Sequence, residues 1–201
     1  MKMAFILFHG MTALDLIGFT EVMTRLARIR PEADISWDYC ALSTQITDDR
    51  GLAYVVSRVK PDLSEYDLVF VPGGFTTREL RYDPDVLTWL QTAREAKHLV
   101  SVCTGSLLLG AAGLLEGKRA TTNASAYELL TPYCKEVVQA RIVQDGRLFT
   151  GSGVSSSIDL GLYVLERLTD AATAERVQTD MSYPYYRTGT SSALYHAKTG
   201  M

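Results

Sequence analysis

Cys103 lies where a strand, a turn and a helix are predicted to meet, a place where a thiol can do chemistry. Residues 98–102 are an apolar, β-branched run, and residues 104–110 continue as Thr-Gly-Ser-Leu-Leu-Leu-Gly. The pattern predicts a buried strand, a tight turn in which Gly105 permits the bend, and a helix that extends to Leu115. Unpaired N–H groups at a helix start favour a thiolate, so we expect Cys103 to be a nucleophile.

The alternative for any free cysteine is that it is a small buried hydrophobe without reactivity. We assign that role to Cys40 and Cys134. Cys40 lies within a strand-like run, and Cys134 follows Pro-Tyr at the end of a short helical segment. Neither has the turn-to-helix context of Cys103.

Two further loops are expected beside Cys103, because the carboxyl ends of parallel strands share one edge of a sheet. The first carries Asp15 between two leucines, where an apolar environment raises a carboxyl pKa and keeps a proton available. The second is Pro-Gly-Gly after a buried strand, where the Gly74 N–H, with that of Thr104, could donate to a reacting group. The alternatives are a helix N-cap for Asp15 and an ordinary strand-ending turn for Pro-Gly-Gly.

Histidine is scarce, and its placement argues against a Cys-His hydrolase. His9 follows the first strand, and His98 opens the strand whose other end bears Cys103. His196 is near the end of the sequence. We interpret all three as surface or structural residues, although His9 could lie near the same sheet edge in space.

Composition bounds the class of protein. The 201 residues, 47% hydrophobic with a net charge of −3, indicate one globular domain over residues 1–201 and argue against a nucleic-acid-binding surface. No run of 18 apolar residues suggests a membrane span, and the start lacks the features of a signal peptide. Three cysteines without a C-x-x-C pair favour a reducing compartment and no metal site, so we expect a cytoplasmic protein.

The predicted elements alternate along the chain, which is typical of an α/β fold with a mostly parallel sheet and helices on both faces. The remaining strands are predicted at 3–8, 35–42, 52–59, 67–71 and 118–122, with a hairpin formed by 137–143 and 147–150. The remaining helices are predicted at 13–29, 84–96, 125–130, 156–168 and 171–181, with Asp83 as the N-cap of the second. Residues 182–201 are predicted to form an irregular arm.

The sequence resembles the ThiJ/PfpI superfamily and, within it, the isocyanide hydratases. The resemblance covers nearly the whole chain and is carried by these motifs: Leu14-Asp15-Leu16-Ile17-Gly18, Val71-Pro72-Gly73-Gly74, Val102-Cys103-Thr104-Gly105-Ser106, Gly117-Lys118-Arg119-Ala120-Thr121-Thr122, and Leu148-Phe149-Thr150-Gly151-Ser152-Gly153-Val154 with Ile158-Asp159. The resemblance implies a flavodoxin-like three-layer sandwich, a homodimer, and neither a metal nor an organic cofactor.

The same resemblance implies roles for individual residues. Cys103 would be the nucleophile and Asp15 its acid/base partner. The candidate pocket residues are Gly73, Thr122, Asn123, Gly153 and Val154. Relatives commonly carry His where this chain has Asn123, and Asn cannot shuttle a proton, which weakens a Cys-His mechanism more than one that relies on Cys and Asp.

The leading functional hypothesis is therefore the hydration of an isocyanide, a small-molecule substrate, to an N-substituted formamide through a cysteine thioimidate. One alternative is glyoxalase or deglycase chemistry on an α-oxoaldehyde. Another is a non-enzymatic redox-sensing cysteine domain, since a low-pKa exposed thiol oxidises readily. Neither a nucleic acid nor a membrane is expected as a partner.

Overall fold

The computed structural model describes residues 1–189 and the backbone of Leu194–Tyr195. The strands are β1 (Lys2–Ile6), β2 (Ser36–Ala41), β3 (Gln45–Thr47), β4 (Ala53–Val55), β5 (Arg58–Val59), β6 (Leu68–Val71), β7 (His98–Val102), β8 (Arg119–Ala120), β9 (Glu136–Val137), β10 (Ile142–Asp145), β11 (Leu148–Gly151) and β12 (Leu194–Tyr195). The helices are α1 (Ala13–Ile29), α2 (Thr77–Leu80), α3 (Pro84–Gln91), α4 (Gly105–Ala111), α5 (Tyr127–Leu130), α6 (Ser156–Leu168) and α7 (Ala171–Asp180).

One large sheet organises the molecule, with strand order β12-β10-β11-β7-β6-β1-β2-β5. The pairings from β11 through β5 are parallel, and β10 is antiparallel to both β11 and β12. The chain leaves β1 towards β2 on one side and returns to β6 on the other, so the carboxyl ends of β1 and β6 flank the crevice in which α/β sheets bind ligands. The predicted α/β class and mostly parallel sheet are confirmed.

Strand β1 is buried on both faces, as its continuous apolar sequence predicts. Met3 and Phe5 enter the core beneath α1 and α6, and Ala4 and Ile6 enter the core beneath α3 and α4. The sheet therefore separates two hydrophobic cores, and helices cover each of them. The result is the predicted three-layer sandwich.

Several predicted segments are divided differently in the structure. The predicted strand 52–59 is split, because β4 forms a hairpin with β3 whereas β5 pairs with β2. The helix predicted at 84–96 ends as an α-helix at Gln91 and continues as a 3-10 turn over Thr92–Glu95. Helix α4 ends at Ala111, four residues before the predicted Leu115. The arm predicted over 182–201 lies largely outside the described residues.

Within residues 1–189, no helix is long and apolar enough to cross a membrane.

The predicted cap of α3 provides a stability test. Asp83 Oδ1 accepts hydrogen bonds from the N–H groups of Asp85 (2.9 Å) and Val86 (3.3 Å). We expect Asp83→Ala to lower the free energy of unfolding by about 1 kcal/mol, because two helix N–H groups lose their acceptor. Asp85→Ala is the matched control, since that exposed carboxylate lies only near Lys60, at 3.8 Å. Urea denaturation of both variants measures the difference, and equal losses would contradict the capping role.

Candidate active site

Cys103 occupies a sharp turn between β7 and α4, and its backbone is in the left-handed region with φ of +54°. Few non-glycine residues adopt this conformation, and it persists only where neighbours hold it. Here its N–H donates to Gly151 O at 2.9 Å, and its carbonyl accepts from the hydroxyls of Thr122 (2.9 Å) and Ser106 (3.2 Å). Three separate segments therefore fix the backbone that presents the sulfur.

Gly105 has a different role from the one expected. The positive φ is at Cys103 itself, whereas Gly105 allows two backbones to pack closely. A Cβ on Gly105 would lie 2.3 Å from Val71 O and 2.6 Å from Pro72 O, both at the end of β6. The small residue therefore brings the cysteine turn against the Pro-Gly-Gly turn.

Asp15 lies in the first turn of α1, and its side chain is fully buried. Its Oδ2 accepts a hydrogen bond from the Gly73 N–H at 2.9 Å. The N-cap alternative is wrong, because Thr12 is the N-cap residue and the Asp15 carboxyl bonds to Gly73 instead of to a helix N–H.

Gly73 marks the place where the site residues meet. A Cβ on Gly73 would lie 2.7 Å from each of Asp15 Oδ2, Cys103 Cβ and Thr104 N. The carboxyl oxygen and the cysteine Cβ are therefore at most twice that distance apart. The three loops predicted to converge do so, around a glycine that has no room for a side chain.

Burial dominates the ionisation of both reactive groups. Removal from water raises the pKa of Asp15 to about 7, partly opposed by hydrogen bonds from the Gly73 N–H and the Cys103 side chain. Burial, with the charge of Asp15, raises the pKa of the Cys103 thiol to about 12, although the Thr104 N–H and hydroxyl favour the thiolate. Burial therefore opposes the thiolate that the sequence predicts, whereas the Thr104 N–H favours it.

The consequence is a thiol beside a carboxyl that is half ionised near neutral pH. Around and above neutral pH the pair holds a single proton, because burial disfavours a charge on either group. The carboxylate can accept that proton when the sulfur attacks an electrophile and can then transfer it to the product. The arrangement is a nucleophile with its own general base.

The two predicted backbone donors differ. The Gly74 N–H donates to Thr104 Oγ1 at 3.1 Å, while that hydroxyl donates back to Gly74 O at 2.9 Å. The Gly74 N–H is therefore unavailable to a reacting group in this structure, and the role expected for it is wrong. The two hydrogen bonds of Gly74 instead clamp the Pro-Gly-Gly turn to Thr104. The Thr104 N–H faces the cysteine sulfur and remains the candidate donor.

The remaining pocket candidates differ in their contacts, and only Thr122 touches the Cys103 turn in the contacts described. Thr122 is fully buried, and its hydroxyl donates a hydrogen bond to the Cys103 carbonyl. Asn123 is half-buried, and its Nδ2 would lie 3.8 Å from a Cβ on Gly153, so these two residues face each other. Val154 is half-buried in the next turn, where its carbonyl accepts from the Ser157 N–H at 3.2 Å.

Sequence reasoning missed a polar chain on the rim of the site. Arg78 Nη2 donates to Ser125 Oγ at 3.1 Å, and Ser125 Oγ donates to Asn123 Oδ1 at 2.9 Å. The Arg78 guanidinium also lies over the exposed ring of Phe75, 4.6 Å from its centroid. The one available signal was that Phe75 and Arg78 closely follow Gly74.

Known proteins resemble this chain in both sequence and fold. The sequence profile of the DJ-1/PfpI family matches residues 1–167. The chain belongs to the DJ-1/PfpI family. It is 35% identical to isonitrile hydratase of Pseudomonas putida over 184 residues, which cover 91% of this chain and 78% of that protein.

Other relatives differ in how much they share with the chain. A ThiJ/PfpI family protein of Pseudomonas syringae has a crystal structure with a TM-score of 0.83 and 32% identity, covering 95% of this chain and 78% of that one. Protein DJ-1 homolog A of Arabidopsis thaliana is 26% identical to this chain. The aligned region covers 85% of this chain but only 44% of that relative.

The two histidines within the described part of this DJ-1/PfpI chain make contacts typical of structural residues. His9 is exposed, and its Nδ1 accepts from the Thr47 N–H at 3.2 Å. His98 opens β7 and packs edge-on against Phe149. His196 lies outside the described residues. Among residues 1–189, no group of three or more His, Cys, Asp or Glu side chains is placed to hold a metal ion.

Burial of Asp15 predicts a gain in stability when the carboxyl is made neutral. Because the pKa in the folded state, about 7, exceeds the ordinary value of 3.8, ionisation opposes folding: the penalty is absent below pH 4, grows between pH 4 and 7 and is complete above pH 7. We expect Asp15→Asn, which retains an acceptor for the Gly73 N–H, to be up to about 4 kcal/mol more stable than the wild type at pH 8.

The measurement is urea denaturation at pH 4 and pH 8. Asp159→Asn is the matched control, since that buried carboxylate is paired with Arg141 and its loss should destabilise the fold. If Asp15→Asn were less stable than the wild type at pH 8, the buried-carboxyl interpretation would be wrong.

Proposed function

We propose that this protein hydrates an isocyanide to an N-substituted formamide, with Cys103 as nucleophile and Asp15 as the acid/base. The observation that carries the proposal is the buried Asp15–Cys103 pair at the carboxyl edge of the sheet. Similarity to the Pseudomonas putida isonitrile hydratase supports the same assignment. The substrate is a small molecule, and the homodimer implied by the resemblance stays a prediction.

The first step joins the sulfur to the terminal isocyanide carbon. Asp15 accepts the thiol proton as the S–C bond forms and delivers it to the same carbon, giving the thioimidate R–N=CH–S–Cys103. The raised carboxyl pKa suits both halves of this transfer, because proton exchange is most efficient when the pKa is near the working pH. The Thr104 N–H stabilises negative charge on the sulfur during the attack.

The second step adds water to the thioimidate carbon. Asp15 accepts one proton from the attacking water and passes it to the imine nitrogen. The hydroxyl of the resulting adduct then loses its proton, through Asp15, to the sulfur as the C–S bond breaks. The products are R–NH–CHO and the Cys103 thiol. Over both steps one water is consumed and the enzyme returns to its starting state, so no redox partner is required.

The alternatives draw less support from the site. A peroxide-sensing cysteine is an accessible thiol, whereas Cys103 is only 7% exposed. Chemistry on an α-oxoaldehyde uses the same nucleophile, and the similarity to DJ-1 homologues keeps it as the second candidate. Lactate formation from methylglyoxal, with no formamide from any isocyanide, would favour that candidate.

Formamide production tests the two named residues. With cyclohexyl isocyanide followed by NMR, we expect Cys103→Ala to abolish conversion and Asp15→Asn to lower kcat/KM by roughly a hundredfold or more, because proton transfer is lost. Cys134→Ala is the matched control, since Cys134 lies near Leu130 O, away from the Cys103 turn. Conversion by Cys103→Ala would exclude the thioimidate route.

The pH profile tests how many protons the Asp15–Cys103 pair holds when it reacts. If the pair reacts with one proton, kcat/KM should rise about tenfold per pH unit up to an apparent pKa near 7 and then stay level through pH 9, because the pair must first lose one proton. A profile that falls above pH 7 would instead show that the pair must hold two protons, which would contradict the proposed transfer.

A further inference from the structure

Arg78 follows the Gly74 turn, and within the part of the chain that the structure describes it is a cation without a countercharge. Among residues 1–189 no ion pair includes Arg78, although a carboxylate partner is common for a half-buried arginine. Its contacts are the ring of Phe75 and the hydroxyl of Ser125. A guanidinium stacked in this way keeps several N–H donors for a further acceptor.

Contacts within the fold tie this cation to the reactive turn. Gly74, which precedes Phe75, is clamped to the hydroxyl of Thr104. On the other side, Asn123, which Ser125 links to Arg78, follows Thr122, whose hydroxyl supports the Cys103 carbonyl. Arg78 therefore bridges two segments that both adjoin Cys103.

Charge is distributed unequally around the site. Asp15 is beside the sulfur, and Asp49, whose charge reaches Asp15, bonds to the hydroxyl of Thr12 at 3.1 Å. Asp49 has Arg50 at 3.5 Å as its own partner. An anionic group on a substrate would be repelled by these carboxylates and attracted by Arg78.

We infer that Arg78 binds a carboxylate on the substrate while the substrate's reactive carbon faces Cys103. The inference rests on the proposed function for the identity of the reactive group, which makes the substrate class an isocyanide that also bears a carboxylate. The exposed Phe75 ring fixes the guanidinium plane, and Asn123 Nδ2 offers a further donor on the same rim. A guanidinium recognises a carboxylate through paired N–H donors.

Alkylation of Cys103 tests the anion site without any hydratase chemistry. Iodoacetate and iodoacetamide react with thiols in the same way, but only iodoacetate carries a carboxylate. With the rate ratio normalised to that of free cysteine, we expect the wild type to prefer iodoacetate by about tenfold, and Arg78→Gln to lose this preference. Peptide mass spectrometry restricts the readout to Cys103.

Matched variants distinguish the site from general surface charge. Arg81 stacks on Tyr82 with the same 4.6 Å separation and is bonded to backbone carbonyls, so Arg81→Gln should keep the wild-type preference. Arg78→Lys retains the charge and should keep part of the preference for iodoacetate. This variant controls for folding defects. A wild-type ratio equal to that of free cysteine, or the same ratio in Arg78→Gln as in the wild type, would overturn the inference.

Turnover separates this inference from the proposed function. Isocyanoacetate and its methyl ester share the isocyanide carbon and differ in the anion. Higher kcat/KM for isocyanoacetate in the wild type, reversed in Arg78→Gln, supports both ideas. Equal hydration of the two compounds overturns the inference and leaves the hydratase. If the protein prefers iodoacetate in alkylation but hydrates neither isocyanoacetate nor its ester, the anion site is retained and the hydratase proposal is overturned.

Discussion

The chemistry of this site depends on the removal of one carboxyl and one thiol from water. Asp15 is fully buried and Cys103 is 7% exposed, so each charge costs more than it would in solvent. A single proton shared between them lowers that cost, because one of the two groups can then be neutral. Burial is the larger cause, and each group also shifts the ionisation of the other.

The fold provides this environment through close backbone contacts. Strands β1, β6 and β7 are adjacent and parallel, so their three following loops begin at the same edge. Glycines at 73 and 105 then let these loops touch without intervening side chains. The reciprocal hydrogen bonds between Gly74 and the Thr104 hydroxyl hold two of the loops together. The same contacts exclude water from the carboxyl.

Much of this arrangement follows from local sequence, and the remainder depends on packing. Apolar runs and turn residues were enough to predict the α/β order, the Asp83 cap and the convergence of Asp15 with Cys103. The ionisation of Cys103 was not predictable, because a strand-turn-helix pattern indicates helix N–H groups but not how deeply the sulfur is buried. The roles of Gly74 and Arg78 also depend on partners distant in sequence, Thr104 and Ser125, which no local pattern reveals.

The immobilised backbone of Cys103 has a consequence for how any covalent adduct is accommodated. With its N–H and carbonyl both engaged and φ fixed at +54°, the residue can move its sulfur mainly by rotation about the Cα–Cβ bond. A group attached to that sulfur must therefore find room by displacing neighbours. The Asp15 carboxyl and the Gly73 backbone lie beside the cysteine Cβ, so these neighbours would limit the largest adduct that fits.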